Sequence, residues 1–450
     1  MNAPFTFPID SRGFIEEHCR MKTHTGVAKI RTHGVEVRGR HNPVEEFFKQ
    51  LGRKQRDVAE LEFPAHCMVP AASECLIQLL CPEDFRLSRN WGTDLTMAGD
   101  STDGPFQLRC PRYYVSAASD RGENPGWAFA VPRNEPVTIT YGAPPVTWSS
   151  VVAVINSFDF ETGNTETAHG GEMLRIAAAG RSVDISWRPE RLALHRLVAA
   201  KLLPTASFVT LCFSAWEGAT ENDLVEFADA VAGLCGIVVQ QHTTNTVIEF
   251  QREDGTIGKR IIRNLLTSEF RRECILPILH IDAGLPRFFR QTFDNFVNLE
   301  KSPRWSRLPS YFFTMEDSTY LEQRLASLMA AIELLIRNSL LDHGWSPQPG
   351  PEPTLSKLIG LARRELKWNV PGHYTKGEGY RILRNAVAHG ADVPIHNSKL
   401  RREFDKWRLF LLRRFLLHLG YDGEVVSPYD GCVSESDVGD FSEACNSFER

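Results

Sequence analysis

Near residue 283 the hydrophobic period of this 450-residue chain changes, and that change limits what it can fold into. Upstream, apolar residues alternate or run in short β-branched and aromatic blocks, the pattern of strands. Downstream they return every three or four residues, the pattern of helices with one buried stripe. One element type cannot serve both halves. The predicted class is therefore α+β, with an N-terminal β-rich domain, sandwich or barrel-like with a few helices, followed by a C-terminal all-α four-helix bundle.

In the upstream part, "VVAVINSFDF" is an apolar run closed by the turn residues "ETGN", and "EMLRIAAAG", "SVDISW" and "SFVTLCFSAW" read as further strands. "GIVVQQHTTNTVIEFQREDGTIGKRIIR" reads as two strands, a turn at Asp254-Gly255 and a third strand. Helices are predicted at 188–203, with an irregular connection as the alternative there, and at 220–234, and the first 110 residues have mixed patterning that sets no strand order. These signals predict a β-rich domain over 1–282 and a helical linker over 283–317, where Phe288, Phe289, Phe293 and Phe296 fall at near-helical spacing.

The bundle is predicted over 318–420. Thr319-x-x-Glu322 is a capping box for a long helix whose stripe is Leu321, Leu325, Leu328, Ile332, Leu335 and Ile336. Thr354 is the expected N-cap of "LSKLIGLARRELKW", a third helix covers 377–389 and stops at Gly390, and the last carries Leu400, Phe404, Trp407 and Leu411. Residues 421–450 form an acidic tail, expected to stay flexible or to lie over another surface.

Net charge, −5, argues against a chain coated in nucleic acid but leaves room for a local basic surface. No run of 18 apolar residues and no leader pattern is present, so the expectation is a cytoplasmic protein without membrane contact. The ten cysteines form no C-x2-C pair, which fits reduced thiols, and Cys212 and Cys235 sit in apolar runs where buried thiols are expected. Cys67, Cys75, Cys81 and Cys110 leave an irregularly spaced zinc site open. No G-x-S-x-G, Walker, H-E-x-x-H or dinucleotide pattern occurs.

The motif that carries chemistry is "YRILRNAVAHGAD", residues 380–392. Arg-x4-6-His spacing recurs at Arg12–His18, Arg188–His195 and Arg413–His418, so spacing alone decides nothing. Arg384–His389 differs by the Asn385 that follows the arginine, by its helical setting, and by a histidine on the last turn beside Gly390. At 100° per residue Asn385 and His389 share a face, with Arg384 adjacent. An imidazole there can move protons while a guanidinium fork grips a phosphate. Attack of an RNA 2′-OH on phosphorus needs a base, an acid and a cation, and one histidine does not easily serve as both base and acid. Two subunits about a two-fold would supply two histidines and two arginines. The same residues would also serve as an ordinary polar helix end capping its carbonyls.

The motif "RNAVAHG" and its position at the end of the third helix of 318–420 resemble the HEPN family, and a β-rich region joined to such a bundle resembles the ApeA-like anti-phage HEPN proteins. The second likeness is architectural. The resemblance implies a metal-independent endoribonuclease without cofactor, a homodimer through the bundle, and 2′,3′-cyclic phosphate products. It makes Arg384 and His389 the catalytic pair and Asn385 their polar neighbour. It offers Glu333, on an earlier helix, as a positioning acid, with an intrahelical Glu333–Arg337 pair as the alternative. The ApeA-like resemblance further implies abortive defence by cutting RNA, including tRNA, with a phage-derived trigger at the N-terminal sensor domain. Lys376, Tyr380 and Arg381, in "GHYTKGEGYR", are candidate RNA contacts, and the basic last helix is either a phosphate-tracking surface or a solvated face. The tail could occupy a basic cleft. The alternative function is a non-catalytic HEPN module that dimerises a β-domain sensor for a ligand or protein.

Overall fold

A computed structural model describes residues 22–32, 35–37, 59–69, 76–80, 85–87, 90–101, 103–117, 127–132, 135–143, 145, 147–155, 173–187, 209–240, 242–263, 281–317, 321–347, 352–371, 397–423, 425–427 and 431–433. Strands dominate first: β1 Lys22–Thr32, β2 Val35–Val37, β3 Ala59–Val69, β4 Leu76–Leu80, β5 Phe85–Leu87, β6 Asn90–Ser101, β7 Gly104–Ala117, β8 Trp127–Pro132 and β9 Val137–Tyr141. Then come β10 Ser150–Ile155, β11 Met173–Ala178, β12 Arg181–Trp187, β13 Val209–Ser214, helix α1 Glu221–Val239, β14 Asn245–Gln251 and β15 Ile257–Ile262. Helices follow: α2 Ile281–Lys301, α3 Arg307–Asp317, α4 Leu321–Asp342, α5 Leu355–Glu365 and α6 Asn397–His418, with a terminal pair β16 Val425–Ser427 and β17 Gly431–Val433. The architecture is mixed α+β, strand-rich first and helix-rich second, as the change of period requires.

Thirteen strands join in one sheet of order β11-β12-β13-β10-β14-β15-β9-β7-β6-β1-β3-β4-β8. The long β7 divides its outer edge. Phe106–Arg109 pair with β9, and Tyr113–Ala117 pair with β8. Because β8 also pairs with β4, the strands β7, β6, β1, β3, β4 and β8 close on one another, and the other seven run outward from β9. Closure satisfies backbone groups that an edge would expose. The inward positions of the ring carry Ala28, Ile77, Leu79, Leu95, Met97, Leu108 and Tyr113, all buried. Where β1 crosses β6, Gly26 and Gly99 are register partners, and a Cβ on Gly26 would lie 2.1 Å from the Ala98 carbonyl oxygen. Only glycine allows the backbones to meet that closely.

The extension is covered by α1. Thr220 caps it in a full box with Asp223, whose carboxylate accepts from the Thr220 N–H at 2.8 Å. Helix α1 continues through Gly236, Ile237, Val238 and Val239, all buried, so "GIVV" is its last turn and not the strand expected. Strand propensity yields there to burial on both faces of the helix, which Gln240 ends at φ +56°. On one side α1 meets the sheet. Phe227 lies where sheet and α2 come together, its ring centroid 4.8 Å from that of Phe213 in β13 and 5.1 Å from that of Phe293 in α2. The core is continuous from β10–β14 through α1 to α6, and includes Phe288, Phe289, Phe293 and Phe296 of α2.

Other expectations are met with differences. Leu325, Leu328, Ile332, Leu335 and Ile336 of α4 are buried, as are Phe404, Trp407 and Leu411 of α6. Thr354 stands at the α5 N-cap, but its side chain makes no capping hydrogen bond. Cys235 is buried, whereas Cys212 is exposed, because alternation in β13 sends Leu211 and Phe213 inward. Tyr421 and Val425 join the helical core and Asp422 pairs with Arg287 of α2 at 2.7 Å, so the first part of the tail lies over the helices. The predicted helices at 188–203 and 377–389, and residues 434–450, lie outside the described residues.

The α1–α2 contact yields a test. A Cβ on Gly233 would stand 2.9 Å from Phe296 Cζ. Helix propensity alone favours Gly233→Ala by roughly 1 kcal/mol. Overpacking costs about 1–3 kcal/mol. The packing term is expected to win, so Gly233→Ala lowers the urea midpoint, and adding Phe296→Leu recovers most of the loss.

Candidate functional site

Arg384, Asn385 and His389, with Lys376, Tyr380 and Arg381, lie outside the described residues, in 372–396. The helices on either side are described. After α5 the chain turns at Lys367, φ +56°, and Arg363 Nη2 donates to the Val370 carbonyl at 3.0 Å. Trp368 packs edge-on against Phe410 of α6, and the Arg414 guanidinium lies over the Trp368 ring at 4.9 Å. The chain entering the motif segment is thus fastened to the helix that follows it.

Glu333 is described. It stands half-buried on α4 and accepts from Arg337 Nη2 at 2.7 Å, one turn along the same helix. Arg337 also reaches Glu352, ahead of α5, at 3.2 Å. The intrahelical pair is therefore formed, and it ties α4 to the approach of α5.

Three of the cations on α6 are engaged within the protein. Arg408 donates to the Gln240 side chain at the end of α1. Arg413, 4% exposed, donates from Nη1 to the Gly423 carbonyl at 2.8 Å. Arg414 is spread over Trp368 and Phe410. Long cationic side chains cover apolar surface while their heads find local acceptors. The side chains of Lys399, Arg401 and Arg402 lie outside the described residues.

The Arg413–His418 pair can also be judged. Arg413 is committed to a carbonyl, while the His418 ring stacks on Trp305 with centroids 3.9 Å apart. Trp305 Nε1 donates to Asp342 Oδ2 at 3.1 Å, and Arg304 pairs with the other oxygen at 3.2 Å. Burial lowers the His418 pKa below its ordinary value, against a smaller opposite pull from Asp342. The unfolded chain then takes up the proton more readily. Stability from this site is complete above the unfolded value of about 6.5 and is lost as pH falls below it. His418→Phe, which keeps the stack without the titration, is expected to lose less of its urea midpoint than wild type between pH 7.5 and 5. Equal losses would remove His418 from the account.

A polar network unannounced by any motif lies at the junction of ring and extension. His24 Nε2 of β1 is 2.8 Å from the Tyr141 hydroxyl of β9, and Arg260 Nη1 of β15 donates to that hydroxyl at 3.2 Å. Arg260 Nε and Nη2 hold Glu249 Oε1 of β14 at 2.8 and 2.6 Å. His24 is fully buried and Arg260 is 4% exposed. Burial opposes the Arg260 charge, but Glu249, Tyr141 and Asp103 outweigh it, and its pKa lies above the ordinary value. One sequence signal could have found it. In "IGKRII" the inward positions are Gly258, Arg260 and Ile262, an arginine where alternation asks for an apolar residue.

Among the described residues no group of three or more His, Cys, Asp or Glu side chains is placed to hold a metal ion. Cys110 is a buried thiol donating to the Arg112 carbonyl at 3.2 Å, while Cys75 and Cys81 lie outside the described residues, as does the side chain of Cys67. No helix among the described residues is long and apolar enough to cross a membrane. Comparison with protein-family models, with curated proteins and with solved structures finds no match to this chain.

Proposed function

We propose that the chain is an endoribonuclease of the HEPN type, acting as a homodimer in anti-phage defence. The observation that carries this is the motif Arg384-Asn385-x3-His389-Gly390, set between two helices of a helix-rich region that follows a strand-rich one. Trp368, ahead of the motif segment, packs on Phe410 of α6, so the helices that flank the segment belong to one packed region, which accords with the reading.

In this reading His389 of one subunit takes the 2′-OH proton, and His389 of its partner protonates the leaving 5′-oxygen. Arg384 from both subunits neutralises the charge growing on the pentavalent phosphorus. Asn385 orients the imidazole, and Glu333 acts at one remove, through Arg337, on the spacing of α4 and α5. Lys376, Tyr380 and Arg381 contact the RNA strand, with tRNA as one candidate substrate. The strand-rich region receives a phage-derived trigger, and the protein works in the cytoplasm without cofactor.

The test is cleavage of total tRNA and a labelled single-stranded RNA by purified protein in EDTA, with and without extract from phage-infected cells. Wild type is expected to leave 2′,3′-cyclic phosphate ends. Loss of a general acid–base group typically costs about 10²–10⁴-fold. His389→Ala is expected to fall by that much with its fold and dimer intact. Cleavage by His389→Ala at the wild-type rate would overturn the mechanism.

A further inference from the structure

Residues 240–244, between α1 and β14, carry polar side chains that are buried: Gln240 is 2% exposed and Thr243 4%. Connections usually run over the surface, because buried polar groups have to find partners. Here the partners lie in two directions. Toward α1 and the sheet, the Thr243 hydroxyl donates to the Ala232 carbonyl. Asn245, the first residue of β14 and register partner of Ile155 in β10, donates from Nδ2 to Asp229 of α1 at 2.9 Å. Toward the helices, Gln240 Oε1 accepts from Arg408 of α6, and the His242 ring stands edge-on to Phe313 of α3, centroids 5.4 Å apart. Phe313 packs on Phe312, which meets Phe415 of α6, with centroids 5.8 Å apart in each pair.

Gln240 makes this connection responsive to α6. It ends α1 at φ +56°, ψ +36°, in the left-handed region, where its N–H caps the Gly236 and Ile237 carbonyls. Glycine or asparagine suits that backbone better than glutamine. The longer side chain supplies an acceptor that reaches Arg408, and a guanidinium can only donate. Cap and contact therefore support one another. When α6 withdraws Arg408, the left-handed turn loses an interaction that offsets its backbone cost. When the turn relaxes, Arg408 loses this acceptor.

We infer that residues 240–244 form a coupling element, which links the placement of α6 to the seating of β14 on α1. Such coupling is reciprocal, so loosening either end loosens the other. Helix α6 follows the motif segment, and the connection is thus a route by which a change in the sheet reaches that helix. The coupling is a property of the fold, is read without RNA, and stands whether or not the ribonuclease reading does.

Hydrogen exchange of the full chain, followed by peptide at one pH, tests this with three substitutions. Gln240→Asn suits the left-handed turn but shortens the amide. Gln240→Glu keeps an acceptor at full reach. Thr243→Val cuts the tie to Ala232 and leaves Gln240 and Arg408 in place. Gln240→Asn is expected to speed exchange in α6 around Arg408 by roughly tenfold, the effect of losing one hydrogen bond to a charged group. Gln240→Glu is expected to stay within about twofold of wild type, since its acceptor remains. Thr243→Val is expected to speed the same α6 amides several-fold, while β6 and β7 keep their wild-type rates. Unchanged α6 exchange in Thr243→Val would reduce Gln240–Arg408 to a local contact and overturn the coupling. A uniform increase in every peptide would overturn it too, because it marks general destabilisation. Should the valine variant fold poorly, Thr243→Ala makes the same cut, and the same outcomes decide.

Discussion

The burial of α1 on both of its faces is the constraint on which the rest of the described structure depends. A surface helix needs one apolar stripe, but α1 buries Leu224, Phe227, Ala228, Ala232, Gly236, Ile237 and Val239 around most of its circumference. The sheet extension takes one side and α2 the other, with Gly233 allowing Phe296 to approach. Helix α1 fills most of the junction between the strand-rich and helix-rich regions, and α2 also meets β11 directly. One core runs from β10 to α6, and the polar contact of Gln240 with Arg408 fixes where the two regions meet.

Polar groups inside this frame are placed by need. Arg413 satisfies the Gly423 carbonyl behind α6, and Arg414 and Trp368 cover one another. The Arg260–Glu249 pair is different, because a buried ion pair generally contributes little net stability compared with apolar residues of the same shape. It joins the β14–β15 hairpin to the Tyr141 hydroxyl of β9.

The sequence made some of this legible and hid the rest for physical reasons. The stripe Leu325, Leu328, Ile332, Leu335 and Ile336 announces α4 because a solvent-facing helix must separate its faces, and "VVAVI" announces β10 because a short apolar run rich in β-branched residues suits a strand with little exposure on either face. The "GIVV" turn misled because a doubly buried helix end has strand-like composition. The first 110 residues concealed long strands because a closed ring has a small interior. In "NWGTDLTMAGDS", Leu95 and Met97 point inward between exposed Asp94, Thr96 and Ala98, and Gly99 serves the crossing. At the candidate site, Glu333–Arg337 was readable from its one-turn spacing. The His24 network was not, because it joins β1, β9 and the β14–β15 hairpin, which are far apart in sequence.

The central functional claim is that two histidines share one phosphate. Dimers containing one wild-type and one His389→Ala subunit, isolated through different tags and assayed on total tRNA in EDTA with extract from infected cells, test it most directly. A shared site predicts that the mixed dimer is nearly as inactive as the His389→Ala homodimer, because it lacks either the base or the acid. Half of the wild-type rate would mean that each subunit cuts alone, and would contradict the composite site.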